Sequence, residues 1–393
     1  MGVRVRQGCA LLADTGEFIT TNWMGVDSVA IGRLDLTAKL HQPGIYDVVT
    51  KVAQDERSKA PVVVDLDPTS FCDLACPECI SGKLLNQGRF TRERLGSLAE
   101  ELVSMGVKAV ILIGGGEPLA HSGTQALIYT LGRAGIGIGV VTNGTMIDRN
   151  LPGLAEHASW VRVSVDAATT DTYRTFRPSR KGGSVFEHVI ENMRRFAAVK
   201  TGTLGYSFLV MVRQDDGKSA VSNHHEVFAA AELAKGIGCD YFEVKAMFDD
   251  EHHIVGVAED VLASIADQLE QARCLEGPDF EIVNSSTLDS LHDHVGPIQP
   301  KDYHRCRVAE LRTLVTSSGV YICPYHRGNS AALLGDAVTE SLVDIWKQSD
   351  RGIIDPSQDC TFHCARHTSN LELHQIAIGN GRPVLESDLD LFI

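Results

Sequence analysis

Cys72, Cys76 and Cys79, in the run FCDLACPEC, are spaced C-x3-C-x2-C with no fourth thiol close by. Zinc sites normally take four ligands, and their cysteines usually come as two pairs. Three closely spaced thiolates suit a cubane iron–sulfur cluster that leaves one iron open to another ligand. The alternative is a zinc site completed by a distant residue. Cys306, Cys323, Cys360 and Cys364 form a second group. Four thiolates complete one cubane with no open iron, or one structural zinc site. His326, His363 and His367 stand near them in the sequence, so a mixed ligand set is a further alternative. Cys9, Cys239 and Cys274 stand alone.

Such ligands need rigid elements to carry them. Short apolar runs at 60–66, 107–113, 138–142, 160–166, 205–212 and 241–248 read as strands. Helical patterns lie between them. Thr91 caps a helix over 91–105, with Leu95, Leu98 and Leu102 on one face and Gly106 at its end. A second helix covers about 122–134. Ser184 and Glu187 form a capping box before Val189, Met193 and Phe196. Another helix near 222–235 stops at Gly236. Repeated strand–helix units predict a parallel α/β sheet, open or closed into a barrel.

Reactive groups in such a fold gather where strands end. The first cysteine group follows the first strand, and Gly114-Gly115-Gly116-Glu117-Pro118 follows the second. Asn143-Gly144 follows the third, while Ser164 and Asp166 end the fourth. All of them fall on one rim. Neither G-x-G-x-x-G nor G-x4-G-K-[ST] is present, so the glycine run lacks the nucleotide-phosphate pattern. On the sixth strand, Glu243 and Lys245 alternate onto the same face as Tyr241. They are candidates for acid–base work, or a pair that only closes the sheet.

C-x3-C-x2-C after strand one and GGGEP after strand two, in a six-unit α/β chain, resemble the radical S-adenosylmethionine (SAM) superfamily over roughly residues 60–250. The resemblance implies a partial (β/α)6 TIM-like barrel. It implies a [4Fe–4S] cluster on Cys72, Cys76 and Cys79, with the amino and carboxylate groups of SAM on the open iron. The chemistry implied is SAM cleavage to a 5′-deoxyadenosyl radical that takes a substrate hydrogen, fed by a flavodoxin or ferredoxin-type donor. Gly115, Gly116 and Glu117 resemble the loop that bonds the SAM amino group, and Asn143 is assigned to the same cofactor site. Ser164 and Arg177 resemble residues near the methionine carboxylate, which a guanidinium would pair bidentately. Their alternatives are a buried polar residue and a surface salt bridge. Glu78 departs from the pattern, which usually has an aromatic residue there, near the adenine.

The stretch from Cys306 through GVYIC and LGDAVTESLVDIWKQSD resembles the C-terminal SPASM or twitch domains, which hold auxiliary iron–sulfur clusters. Full SPASM domains carry more cysteines, so one auxiliary [4Fe–4S] cluster is expected. A closed cluster suits electron acceptance. The expected function is therefore a radical SAM oxidoreductase oxidising a carbinol of a small polar metabolite. A sugar, aminocyclitol or nucleoside in natural-product (antibiotic) biosynthesis fits best. The alternatives are an epimerase with Cys239 or another free thiol as hydrogen donor, a SPASM-type peptide maturase, and a non-catalytic zinc-binding module. For Cys239 the competing assignment is a small buried core residue.

The formal charge of −15 argues against a broad nucleic-acid surface. No run approaches the roughly 20 apolar residues of a membrane span, and the first residues lack an apolar signal core. A cytoplasmic location follows as an expectation. Four segments are expected: an extension at 1–59, the barrel at 60–255, a helical linker at 256–303, and a separate cluster domain at 304–393.

Overall fold

The computed structural model describes residues 35–213 and 221–393. Most of the expected N-terminal extension, with Cys9, lies outside the described residues. Residues 36–393 form one compact unit. Its centre is a sheet of β1 (Val63–Asp67), β2 (Ala109–Leu112), β3 (Gly137–Thr142), β4 (Ala158–Ser164) and β5 (Thr203–Val210). A small hairpin of β6 (Val212–Arg213) and β7 (Val221–Ser222) stands apart from it. The sheet continues with β8 (Tyr241–Ala246) and β9 (Glu281–Asn284), then β10 (Arg312–Thr316), β11 (Gly319–Tyr321) and β12 (Leu333–Gly335). The spatial order is β12-β11-β10-β1-β2-β3-β4-β5-β8-β9.

The six expected strands are β1 to β5 and β8, side by side and parallel. Alternation along them sorts the two faces. Val64, Leu66, Val110, Leu112, Val161 and Val163 pack into the main core beneath the helices. Val63, Ala109 and Ile111 point the other way, into a second core. That core is completed by Val49 and Val52 of the helix Tyr46–Ala53, by Leu373 and Ile376 of the helix His367–Ala377, and by Phe392 and Ile393. Part of the expected extension is thus an integral layer of the unit.

Three further expectations need correction. The expected helical linker at 256–303 is not helix alone, because β9 lies in it between the helices Glu259–Ala272 and Ser286–His292. β9 is too short and too mixed in polarity for periodicity to reveal it. The helix after the capping box starts at Phe186, and Ser184 Oγ accepts from the Phe186 N–H at 3.2 Å rather than from the third helical amide. Residues 304–393 are not a separate body. β10 runs parallel to β1, pairing Val63 with Arg312 through Asp67 with Thr316. Arg312 seals this seam by a bidentate bond to buried Asp65, at 2.7 and 2.6 Å.

Candidate active site

β1 ends at Asp67, and the chain turns at once into the loop bearing Cys72, Cys76 and Cys79. That loop is tied down by the segment 178–180. The Ala75 N–H donates to the Pro178 carbonyl at 2.8 Å, and the Arg180 N–H to the Asp73 carbonyl at 2.9 Å. Arg180 Nε donates to the Cys72 carbonyl at 2.8 Å. Composition and spacing do not single out Asp73, Pro178 or Arg180. The only local signal for Pro178 and Arg180 is the Arg-Pro-Ser-Arg run after a short helix, and Asp73 has none beyond its place between the first two cysteines.

The glycine loop after β2 lies directly against the cysteine loop. The Glu117 N–H donates to the Phe71 carbonyl at 2.8 Å. A Cβ on Gly116 would stand 2.2 Å from that same oxygen, so only glycine fits. Both carboxylate oxygens of Glu117 turn into the protein. Oε1 accepts from the Leu119 N–H and the Thr142 hydroxyl, and Oε2 from the Asn143 N–H at 2.7 Å. Burial pushes its carboxyl up to about 7 against these bonds. Glu117 therefore locks the loops after β2 and β3 together instead of presenting a free carboxylate to a ligand. Asn143 Nδ2 in turn reaches Asp73 Oδ1 at 2.9 Å and lies 3.8 Å from Cys72 Sγ.

A cavity of about 220 Å³ opens beside the thiols, lined by Cys76, Cys79, Glu78, Asp166, Arg177 and Met211 among others. Arg177 is not at the surface. Its Nε donates to Asp166 Oδ2 at 2.6 Å, and its Nη2 contacts the same oxygen. Burial opposes its charge, but Asp166 and the nearby Cys76 raise its pKa further. Asp166 has φ 60°, a left-handed conformation costly for most side chains. It is held there by the Leu209 N–H on Oδ1 at 2.7 Å and by Asn223 Nδ2 on its carbonyl at 2.9 Å. Buried Glu226 accepts from the Ala168 N–H, Thr169 and Thr172, fixing the helix Thr170–Phe176 that delivers Arg177. Ser164 ends β4 opposite Ser207.

Glu78, the departure from the expected pattern, accepts from Arg213 Nη1 at 2.8 Å. The Arg213 guanidinium lies 5.8 Å from the Phe176 ring centroid. The other oxygen of Glu78 is buried with no hydrogen-bond partner among the described residues.

The interior face of the strands carries a polar stripe. Glu243 Oε2 lies 3.2 Å from Arg162 Nη1 on β4 and 3.4 Å from Lys245 Nζ. Burial pushes the Glu243 carboxyl up, but Lys245 and Arg162 together hold it below its ordinary value. Burial and Arg162 bring Lys245 down to about 8, opposed by Glu243 and Asp166. Cys239 corrects an expectation. It precedes β8, at the end away from the thiols, and is packed in the main core. Burial drives its thiol well up. It does not reach the cavity. Cys274 is exposed in the turn Arg273–Leu275.

The second thiol group is brought together by three turns. Cys306, Cys323 and Cys360 pack against one small core of Ala309, Ile322, Ala332 and Ile354. Burial pushes Cys306 up to about 11 and Cys360 up to about 12, and Cys364 adds to both. His326 Nε2 lies 3.4 Å from Cys360 Sγ, whereas His363 engages Ser286 and His367 engages Tyr303. Asn370 Nδ2 donates to Cys306 Sγ at 3.5 Å.

Among the described residues, no three His, Cys, Asp or Glu side chains close on a single metal-ion position. A depression of about 370 Å³, lined by Glu259, His292 and His294, has no cysteine in its lining. Residues 66–219 match the family model of the radical SAM superfamily. These residues are a radical SAM domain. The domain's three thiols, the glycine loop pressed on them and the adjoining cavity fit the [4Fe–4S] cluster and SAM that this superfamily uses.

Two curated relatives match part of the chain. An AdoMet-dependent heme synthase of Methanosarcina barkeri is 28% identical over 30% of this chain and 35% of its own. A GTP 3′,8-cyclase of Synechocystis is 30% identical over 27% of this chain and 33% of its own. The chain thus spans about a third of the length of these relatives. Streptococcus suis SuiB bound to precursor peptide SuiA has TM-score 0.56 at 15% identity, over 77% of this chain and 68% of its own. Native anSMEcpe with bound AdoMet and Cp18Cys peptide has TM-score 0.55 at 15% identity, over 81% and 97%. These likenesses establish the shared fold, the partial barrel of the radical SAM domain. No helix among the described residues is long and apolar enough to cross a membrane.

Proposed function

We propose that this chain is a radical SAM oxidoreductase that removes hydrogen from a carbinol carbon of a small polar substrate. Cys72, Cys76 and Cys79 hold the SAM cluster in this reading. Cys306, Cys323, Cys360 and Cys364 hold one auxiliary cluster. When bound, the first cluster and SAM supply a 5′-deoxyadenosyl radical for hydrogen abstraction, and the second supplies an electron acceptor. The observation that carries the oxidative reading is the buried interior stripe, where Glu243 Oε2 lies 3.2 Å from Arg162 Nη1 and 3.4 Å from Lys245 Nζ; burial and Arg162 lower Lys245 to about 8. A buried lysine near that value accepts a proton from a hydroxyl at neutral to mildly alkaline pH. Glu243 and Arg162 orient it. Arg177 offers its remaining N–H groups to a carboxylate in the cavity, and Glu78 offers an acceptor.

Packing of Cys239 in the core favours oxidation over an epimerase that would use that thiol. The peptide-bound neighbours favour a second reading, a peptide maturase. One experiment separates them. The reconstituted, dithionite-reduced protein is incubated with SAM in deuterated water, with polyols, nucleosides or short peptides in turn. Oxidation raises 5′-deoxyadenosine formation with a polyol or nucleoside and gives a ketone, whose oxidised carbon carries neither hydrogen nor deuterium. Deuterium on the product carbon would mean epimerisation, and stimulation by peptides alone would mean a maturase. A flavodoxin or ferredoxin replaces dithionite in the cell on this reading.

A further inference from the structure

The turn that carries Cys323 also reaches the glycine loop. Cys323 caps the short helix Pro324–His326, and Arg327 follows it directly. The Arg327 Nη1 contacts Oδ2 of Asp67, the last residue of β1. The same oxygen accepts the Gly115 N–H at 2.8 Å. Asp67 is buried and Arg327 largely covered, 4% and 12% exposed. A Cβ on Gly115 would stand 3.0 Å from Asp67 Oδ2 and 3.2 Å from Arg327 Nη1. The three groups close on one another with no spare room.

Two neighbouring contacts run the same way. A Cβ on Gly328 would meet Leu84, in the turn after Cys79, at 3.2 Å. One on Gly88 would meet Ser317 Oγ, in the β10–β11 turn, at 3.0 Å. The segment that bears the second thiol group is therefore seated on both halves of the first site, the glycine loop and the chain leaving the third cysteine.

We infer that Arg327 is a positioning residue through which the Cys306–Cys364 site controls how tightly SAM is held at the first site. The inference rests on the SAM reading of that site. Burial raises the Asp67 carboxyl, and Arg327 is the cation that opposes this. Ionised Asp67 holds the Gly115 N–H by a charge-assisted bond, roughly twice as strong as a neutral one. Without Arg327 the carboxylate is buried without its cation, and it protonates or draws in water. The Gly115 bond then weakens, and the loop from Gly114 to Gly116 gains freedom that SAM must remove again on binding. Ligation of Cys323 fixes the turn from which Arg327 extends, so the two sites are linked, and linkage acts in both directions.

The test compares wild type, Arg327→Met and Arg327→Lys after reconstitution with iron and sulfide. Four quantities are read: iron content, the Kd for SAM, the change SAM causes in the EPR signal of the reduced first cluster, and amide exchange over 114–116. Arg327→Met should keep wild-type iron yet bind SAM about tenfold more weakly. Its Gly115 amide should exchange faster, also in metal-free protein. Arg327→Lys, which keeps the charge but not the planar fork, should fall between. Cys323→Ser with Cys360→Ser should weaken SAM binding in the same direction. Wild-type SAM affinity and Gly115 protection in Arg327→Met would overturn the inference. If Arg327→Met loses iron, Arg327→Lys decides on the same readouts. Failure of the wild type itself to bind SAM would instead overturn the reading of the first site, and this inference with it.

Discussion

Arg177 Nε donates to Asp166 Oδ2 at 2.6 Å, joining the end of a short helix to the turn that leaves β4. Asp166 is 2% exposed and Arg177 15%. Removing one partner of such a pair leaves a buried charge uncompensated. Asp166→Ala should destabilise the fold by about 3–5 kcal/mol, read as a drop in the denaturation midpoint. Asp166→Asn, which keeps the acceptor for the Leu209 N–H, should cost less. Equal stability of Asp166→Ala and wild type would show that the pair does not hold the rim.

Glu117 accepts from three donors with two oxygens, and an amide offers only one. Glu117→Gln must turn its NH2 group towards the Asn143 N–H or towards Leu119 and Thr142. Either choice strands a buried donor, at about 1–3 kcal/mol. The expected outcome is a lower melting temperature with faster amide exchange at Asn143. Unchanged exchange there would separate Glu117 from the lock between the two loops.

Metal content checks both thiol groups. Two cubanes require about eight irons per chain with matching sulfide. Replacing Cys72, Cys76 and Cys79 by Ala should leave about four and abolish SAM cleavage. Replacing the second group should leave about four at the first. Zinc without iron would refute both assignments.

Lys245 gives a pH signature. Its pKa falls from the ordinary 10.5 to about 8 in the folded chain, through burial and Arg162. Between those values the unfolded chain holds the proton and the folded chain does not. Stability therefore rises with pH across about 8 to 10.5, by at most ~1.4 kcal/mol per pH unit from this group. Below about 8 both states are protonated and the full cost of burying the charge remains. Lys245→Met should flatten this rise in a series of unfolding curves from pH 7.5 to 10. A parallel slope in the variant would show that Lys245 is not the group responsible. On the proposed function, the rate of wild type should climb through about pH 8, and the variant should lose that limb.

The six parallel strands were legible because each is a short apolar run closed by a turn signal, and the thiols and glycine loop followed from their spacing. What the sequence hid are relations across the chain. Nothing local in Arg312 or Arg327 announces that Asp65 and Asp67 are their partners. Glu78 looked anomalous until Arg213 came to face it. Arg177 and Glu117 were legible as site residues, but their bonding was not, because a buried charge finds its partner through tertiary contact. β9 escaped because four residues with one fully buried position carry no periodicity. Cys239 could be set aside only once its end of the strand was seen in the core.

β10 beside β1 places Val63 against Arg312, two positions far apart along the chain. A nascent chain that has not yet emerged as far as Arg312 has β1 paired on one edge only, with Asp65 and Asp67 both lacking their cations. An unpaired strand edge is a template for wrong association, and contacts this remote form late. The cysteine loop that leaves β1 thus acquires its final wall only after the downstream segment is made.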